Sequence, residues 1–199
     1  MWALGVDTAG VTQSVVLLHS DGRRFIRQSA ERRQQGDIVQ EFVAQCLAEA
    51  GITLKDIGVL AAVTGPGSFT GLRIGLALLQ GYARALNCPL TGYDRFTLLR
   101  FTAADAVIVL ESLRAELFVQ LTPGQNEMLS PADILPRLTG RAVVGDGAVY
   151  LGIEPLPPLP EAELAARHAL ADVAAGRSLL PAIPHYVRPP DVTFPKAQQ

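Results

Sequence analysis

Residues Ile57-Gly58-Val59-Leu60-Ala61-Ala62-Val63-Thr64 form an uncharged apolar run that passes straight into Gly65-Pro66-Gly67-Ser68-Phe69-Thr70-Gly71-Leu72-Arg73-Ile74-Gly75. A short apolar run without alternation suits a central strand covered on both faces. Pro66 fixes its own φ and lacks an N–H, while its flanking glycines accept positive φ, so the chain can reverse tightly there. Ser68 and Thr70 are both suited to cap the first turn of a following helix. The feature therefore dictates strand, glycine-rich turn, helix.

A turn of this kind invites phosphate binding, because free N–H groups at a helix start favour anions. The spacing fits neither common version: no Gly-Lys-Ser/Thr follows a four-residue spacer, and Thr70 stands where a dinucleotide fingerprint requires its third glycine. A structural turn with close packing is the alternative.

The helix from Thr70 to Leu86 is more telling. At about 100° per residue, Arg73, Gln80 and Arg84 fall in one stripe, and apolar or small residues span roughly 260° of the circumference. Leu72, Leu76, Leu79, Ala83 and Leu86 suffice to pack on a sheet. Ile74, Ala77, Leu78, Gly81 and Ala85 lie on a second face that needs separate cover, from another helix of this chain or from a partner.

The rest of the first half reads as strands Ala3–Val6 and Gln13–Leu18, an Asp21-Gly22 hairpin turn, and a third strand near Arg24–Gln28. A helix over Ile38–Ala50 follows, with Asp37 and Gln40 at capping-box spacing and Ile38, Val39, Phe42, Val43, Cys46 and Leu47 as its apolar face. The second half suggests a hairpin from Ala106–Leu110 and Glu116–Leu121, a strand over Arg141–Val144, a stiff Pro-rich connector over residues 154–160, and an amphipathic helix over Glu161–Ala175. The order β-β-β-α-β-α predicts an α/β fold with a mixed sheet, of the actin/hexokinase/Hsp70-like (ASKHA) type.

Several motifs together resemble the bacterial TsaB (YeaZ) family: the 65–75 segment preceded by Leu54-Lys55-Asp56-Ile57, the opening Leu4-Gly5-Val6-Asp7-Thr8-Ala9, the turn Val143-Val144-Gly145-Asp146-Gly147-Ala148, and the tail Pro184-His185-Tyr186-Val187-Arg188. Two family features depart. Arg33-Gln34-Gln35-Gly36-Asp37 lacks the His that usually enters the first helix, and Glu111-Ser112-Leu113-Arg114-Ala115-Glu116-Leu117-Phe118 carries its arginine one position late, so no role attached to that His or Arg carries over.

The resemblance implies an ASKHA fold with an N-terminal domain, residues 1–98, bearing partner-binding helices, and a reduced second domain, residues 99–199. It implies a non-catalytic subunit that binds TsaD, with TsaE, in threonylcarbamoyl transfer to N6 of adenosine 37 of tRNAs reading ANN codons. The same surface would form a homodimer when TsaD is absent, and tRNA would be met only through the complex. Together with the wide apolar arc, the resemblance assigns the partner interface to Ile38, Phe42, Val43, Cys46, Phe69, Arg73, Ile74, Ala77, Leu78, Gly81 and Ala85. Asp7 and Thr8 stand where ATP-using members of this superfold begin their phosphate site, which makes them the candidate residual nucleotide site; a turn-forming Asx residue is the alternative. An ASKHA-type small-molecule kinase or ATPase is the competing function.

Catalytic and metal-binding patterns are otherwise missing from the sequence. His19, His168 and His185 are scattered, Gly-x-Ser-x-Gly does not occur, and neither a metal nor a cofactor is expected. A net charge of −2 opposes strong independent binding to tRNA, although Arg23, Arg24, Arg27, Arg32 and Arg33 cluster; a charged hairpin edge and a phosphate contact within a complex both fit them. Cys46 and Cys88 form no CxxC and suit a reducing cytoplasm. With 49% hydrophobic residues the chain can bury a good core, yet no apolar run is long enough to span a membrane, and no basic residue precedes Arg23 as a signal peptide would require.

Overall fold

The computed structural model describes residues 1–30, 35–112, 114–138, 140–155 and 160–187. Its elements run β1 (Trp2–Asp7), β2 (Gln13–His19), β3 (Arg24–Ser29), α1 (Gln35–Ala50), β4 (Ile57–Val63), α2 (Phe69–Leu86), β5 (Leu90–Tyr93), α3 (Arg95–Thr102), β6 (Val107–Leu110), β7 (Leu117–Thr122), β8 (Gln125–Leu129), α4 (Pro131–Ile134), β9 (Val143–Val144) and α5 (Glu161–Ala174), with short 3-10 segments between some of them. Two mixed sheets result, one ordered β3-β2-β1-β4-β5 and the other β8-β7-β6-β9. In the first, β1, β2 and β3 are antiparallel while β4 and β5 run parallel to β1. This is the expected ASKHA-like α/β fold.

The first sheet is buried on both faces, and the two-residue period of its strands decides which side chain goes where. Leu4 and Val6 of β1, with Leu60 and Ala62 of β4, meet Val39 and Val43 of α1 and Leu76 and Leu79 of α2. Their neighbours Ala3, Val59, Ala61 and Val63 face the other way, into Ala162, Ala165, Ala166 and Ala169 of α5. Small residues on both partners let α5 lie very close: a Cβ on Gly5 would sit 2.1 Å from the Ala162 carbonyl oxygen. Although α5 comes late in the chain, it packs on β1, β2 and β4 of the first sheet. The second sheet has its own core, with Val107, Val109, Leu117 and Val119 packed against Ile134 and Leu138.

Two expectations need correction, and some elements had none. The first helix begins at Gln35, so Asp37 lies inside its first turn rather than at its cap. β5, α3 and β8 lacked a recognisable pattern: β5 is four residues long, α3 carries an arginine at its start, and β8 is polar, Gln125-Asn126-Glu127. Thr70 lies within α2, and the cap is Ser68, whose hydroxyl accepts the Gly71 N–H. The Pro-rich stretch 156–159, Arg32, Arg33 and Arg188 lie outside the described residues. Among the described residues no helix is long and apolar enough to cross a membrane.

Candidate functional site

The glycine-rich segment docks α2 against the turn that follows β1. Gly65 has φ +103°, and its peptide bond to Pro66 is cis. Ser68 N–H donates to the Ala9 carbonyl at 2.8 Å, and Thr8 Oγ1 donates to the Gly71 carbonyl at 2.7 Å. There is no room for side chains between the two segments. A Cβ would stand 2.1 Å from Ala9 O at Gly67, 2.1 Å from Thr8 O at Gly71 and 2.4 Å from Thr8 Oγ1 at Gly75. Ser68 N–H and Gly71 N–H, which an anion would need, are thus already used by the fold. The close-packing reading of this motif holds.

The opposite side of α2 lies open. Arg73, Ala77, Gln80, Gly81, Arg84 and Ala85 are exposed, and Ile74 and Leu78 are half-buried. Among the described residues, a Cβ on Gly81 would have no neighbour within 4 Å. At the start of the helix Phe69, 40% exposed, lies 5.3 Å from the Tyr186 ring, and the Arg73 guanidinium stands 4.9 Å from the Phe69 ring centroid. α1 packs beside α2, with Ile38 and Phe42 half-buried. Val43 and Cys46, also assigned to the interface from sequence, lie elsewhere: they are 2% and 0% exposed in the core beneath α1. The Cys46 thiol points to the Phe25 carbonyl at 3.7 Å, and burial pushes its pKa up to about 11, so it is a packing residue.

A second feature is a cleft of about 300 Å³ between the two sheets, lined among others by Asp7, Arg95, Asp146 and Glu161. Arg95 opens α3 and is only 2% exposed. Its Nε and Nη2 donate to the two Glu161 oxygens at 2.6 and 2.8 Å, Nη2 also reaches Asp146 Oδ2 at 3.0 Å, and Nη1 reaches the Pro66 carbonyl at 3.3 Å. Asp146 in turn accepts the Val11 N–H at 3.4 Å and the Glu111 N–H at 2.8 Å. It is held there by the Gly145 turn, where a Cβ would meet Val109 O at 2.3 Å. Asp7 Oδ1 accepts the Ala9 N–H at 2.7 Å, closing an Asx turn. Burial first, then repulsion from Glu161, pushes the Asp7 carboxyl up to about 7, against the pull of Arg95 and the Ala9 N–H. Burial likewise raises Glu161.

Asp7 and Thr8 therefore sit together after β1, as the sequence suggested, but with different tasks: Asp7 faces the cleft, whereas Thr8 pins α2. Sequence reasoning missed Arg95 and Glu161. The only signal for Arg95 was a lone cation ahead of Phe96, Leu98 and Leu99, all three buried. The hairpin arginines pair within the chain, Arg24 with Glu163 at 2.9 Å and Arg27 with Glu49 at 2.5 Å. Among the described residues no group of three His, Cys, Asp or Glu is placed to hold a metal ion.

A sequence profile for TsaD, described as tRNA N6-adenosine threonylcarbamoyltransferase, matches residues 29–108. The chain is 37% identical to the tRNA threonylcarbamoyladenosine biosynthesis protein TsaB of Escherichia coli, over 46% of this chain and 39% of that protein. It is 29% identical to an uncharacterized protein of Mycobacterium tuberculosis over 94% of this chain and 92% of the relative. In three dimensions it is similar to YeaZ from Pseudomonas aeruginosa, with a TM-score of 0.72 and 25% identity, covering 94% of this chain and 99% of that one.

Proposed function

Because this chain belongs to the TsaB (YeaZ) family, we propose that it takes part in tRNA threonylcarbamoyladenosine biosynthesis as a non-catalytic subunit that docks TsaD through α1 and α2. The observation that carries this reading is the open face of α2. A glycine within a helix costs about 1 kcal/mol relative to alanine unless something needs its small size. Gly71 and Gly75 are needed inside the molecule; among the described residues, nothing lies within 4 Å of a Cβ placed on Gly81. With Ala77 and Ala85 beside it, Gly81 leaves a shallow track in which a second helix can approach closely, flanked by Ile74 and Leu78.

The interface so proposed comprises Ile38, Phe42, Phe69, Arg73, Ile74, Ala77, Leu78, Gly81 and Ala85. The matching TsaD profile spans α1 through α3, which suggests a partner with a comparable helix pair and a pseudo-symmetric four-helix contact. A second copy of this chain would use the same face when TsaD is absent. TsaE joins through the assembled complex, and tRNA is met only there. The proposed division places the partner-binding helices in residues 1–98 and the second sheet in residues 99–199. The competing kinase or ATPase reading would use Asp7 and Thr8, but three carboxylates facing one arginine make the cleft unfavourable for a polyphosphate.

The test replaces Ala77 by Glu, or Gly81 by Arg, and measures co-purification with TsaD and modification of tRNA in the reconstituted system. Loss of both, with an unchanged unfolding midpoint of the isolated chain, is expected. Full complex formation by either variant would end the proposal. Light scattering on the isolated chain should show a dimer that each substitution splits.

A further inference from the structure

We propose that Arg95 is a latch between the two sheets, and that gain or loss of one proton at Asp7 sets whether the latch is closed. The geometry points to this because a single guanidinium collects ligands from both halves of the molecule. Glu161 belongs to α5, which packs on the first sheet, and Pro66 to the turn after β4 of that sheet. Asp146 follows β9 of the second sheet and is anchored to the Glu111 N–H just after β6. Asp146 also accepts the Val11 N–H from the turn after β1. Breaking the Arg95–Asp146 pair therefore leaves the longer Val11 N–H contact, 3.4 Å, to hold Asp146 across the cleft floor.

Among the described residues, the charged groups that face this point are Asp7 from β1, Arg95 from α3, Asp146 from the 3-10 segment Asp146–Leu151 and Glu161 from α5; the other described lining residues, among them Thr12, Ser14 and Gln28, are uncharged. With a proton on Asp7, one cation faces two carboxylates, both hydrogen-bonded to it. Once Asp7 gives its proton to solvent, one cation faces three. Glu161 is 10% exposed and bound through both oxygens, whereas Asp146 is 22% exposed and bound through one. Asp146 is thus the group that leaves for water, and the cleft opens on its side. Burial and the Glu161 charge bring the Asp7 titration to about 7, where ordinary changes of pH operate the latch.

The Glu111 amide, which donates to Asp146, reports the latch. Its hydrogen exchange is followed by NMR on the full chain at pH 6 and pH 8, each rate divided by the intrinsic rate at that pH. Protection should fall about tenfold between the two in the wild type. In Asp7→Asn, an isosteric change that preserves the Asx turn, it should stay level. In Asp146→Ala, which removes the acceptor of the Glu111 N–H, it should be low at both values. A wild-type protection that does not change, a fall that persists in Asp7→Asn, or full protection in Asp146→Ala would each overturn the latch.

Discussion

The cleft and the outer face of α2 stand in contrast. In the cleft, costly groups are gathered and then satisfied within the chain: the buried Arg95 donates to Glu161, Asp146 and the Pro66 carbonyl. On the outer face of α2, inexpensive groups are left uncovered, with Ala77, Gly81 and Ala85 exposed and Ile74 and Leu78 only half-buried. A polar group that already has its partners offers little to a ligand, whereas apolar surface without cover gains by association. Charge in the cleft thus serves internal architecture, whereas the small and half-buried apolar residues of α2, set beside the exposed Arg73 and Arg84, leave a surface that another molecule can cover.

The strongest way to break that contrast is to remove the cation. Arg95→Met keeps the volume but leaves Asp146 and Glu161 facing each other without compensation. Taking one partner from a buried ion pair costs about 3–5 kcal/mol, and urea unfolding at pH 7 should show a loss of that order. A loss under about 1 kcal/mol would mean that the cleft is open and solvated, and that its charges are free for other work.

Asp7→Asn sharpens the same side of the contrast through its sign. The folded-state pKa of Asp7 is raised from 3.8 to about 7, so the native chain holds a proton that the unfolded chain has released. Wild-type stability therefore falls as pH rises from about 4 to 7 and levels off above that. About three units correspond to an upper value of roughly 4 kcal/mol. The Asn variant should lack this decline and be more stable than wild type at pH 8 by about 2–4 kcal/mol, and denaturant midpoints at pH 5 and pH 8 will measure it.

The two regions also differ in how readable they are. The division of α2 into a sheet-facing and an outward set follows from helix periodicity, and Leu72, Leu76 and Leu79 are buried while Ala77, Gly81 and Ala85 are not. The strand pattern of β1, β2 and β4 is equally local. The cleft is not local at all: Asp7 comes from the end of β1, Pro66 and Asp146 from the turns after β4 and β9, and Arg95 and Glu161 from the first turns of α3 and α5, and only the topology brings them together. Asp146 was visible as part of Gly145-Asp146-Gly147 but without a partner. Val43 and Cys46 were misplaced because the apolar stripe of α1 is wider than its outward edge, and periodicity alone does not tell which side of a stripe the sheet takes.

The last two tests use one substitution at two glycines of α2 and read opposite signs. At Gly71 the added Cβ would stand 2.1 Å from a backbone oxygen, that of Thr8, so α2 must move away from the turn. Overpacking of this kind costs about 1–3 kcal/mol, of which the better helix propensity of alanine returns about 1. A net loss of up to about 2 kcal/mol is expected by chemical denaturation.

At Gly81 the same methyl group meets none of the described residues within 4 Å, so only the propensity remains. Gly81→Ala should stabilise the isolated chain by about 0.5–1 kcal/mol in the same assay. If the small residue is kept for a close-approaching helix, the stabilised chain should bind its partner less tightly, with stability and affinity moving in opposite directions. A variant that gains in both would show that the open face of α2 does not depend on Gly81 for contact, and the site of closest approach would then lie nearer Ile74 and Phe42.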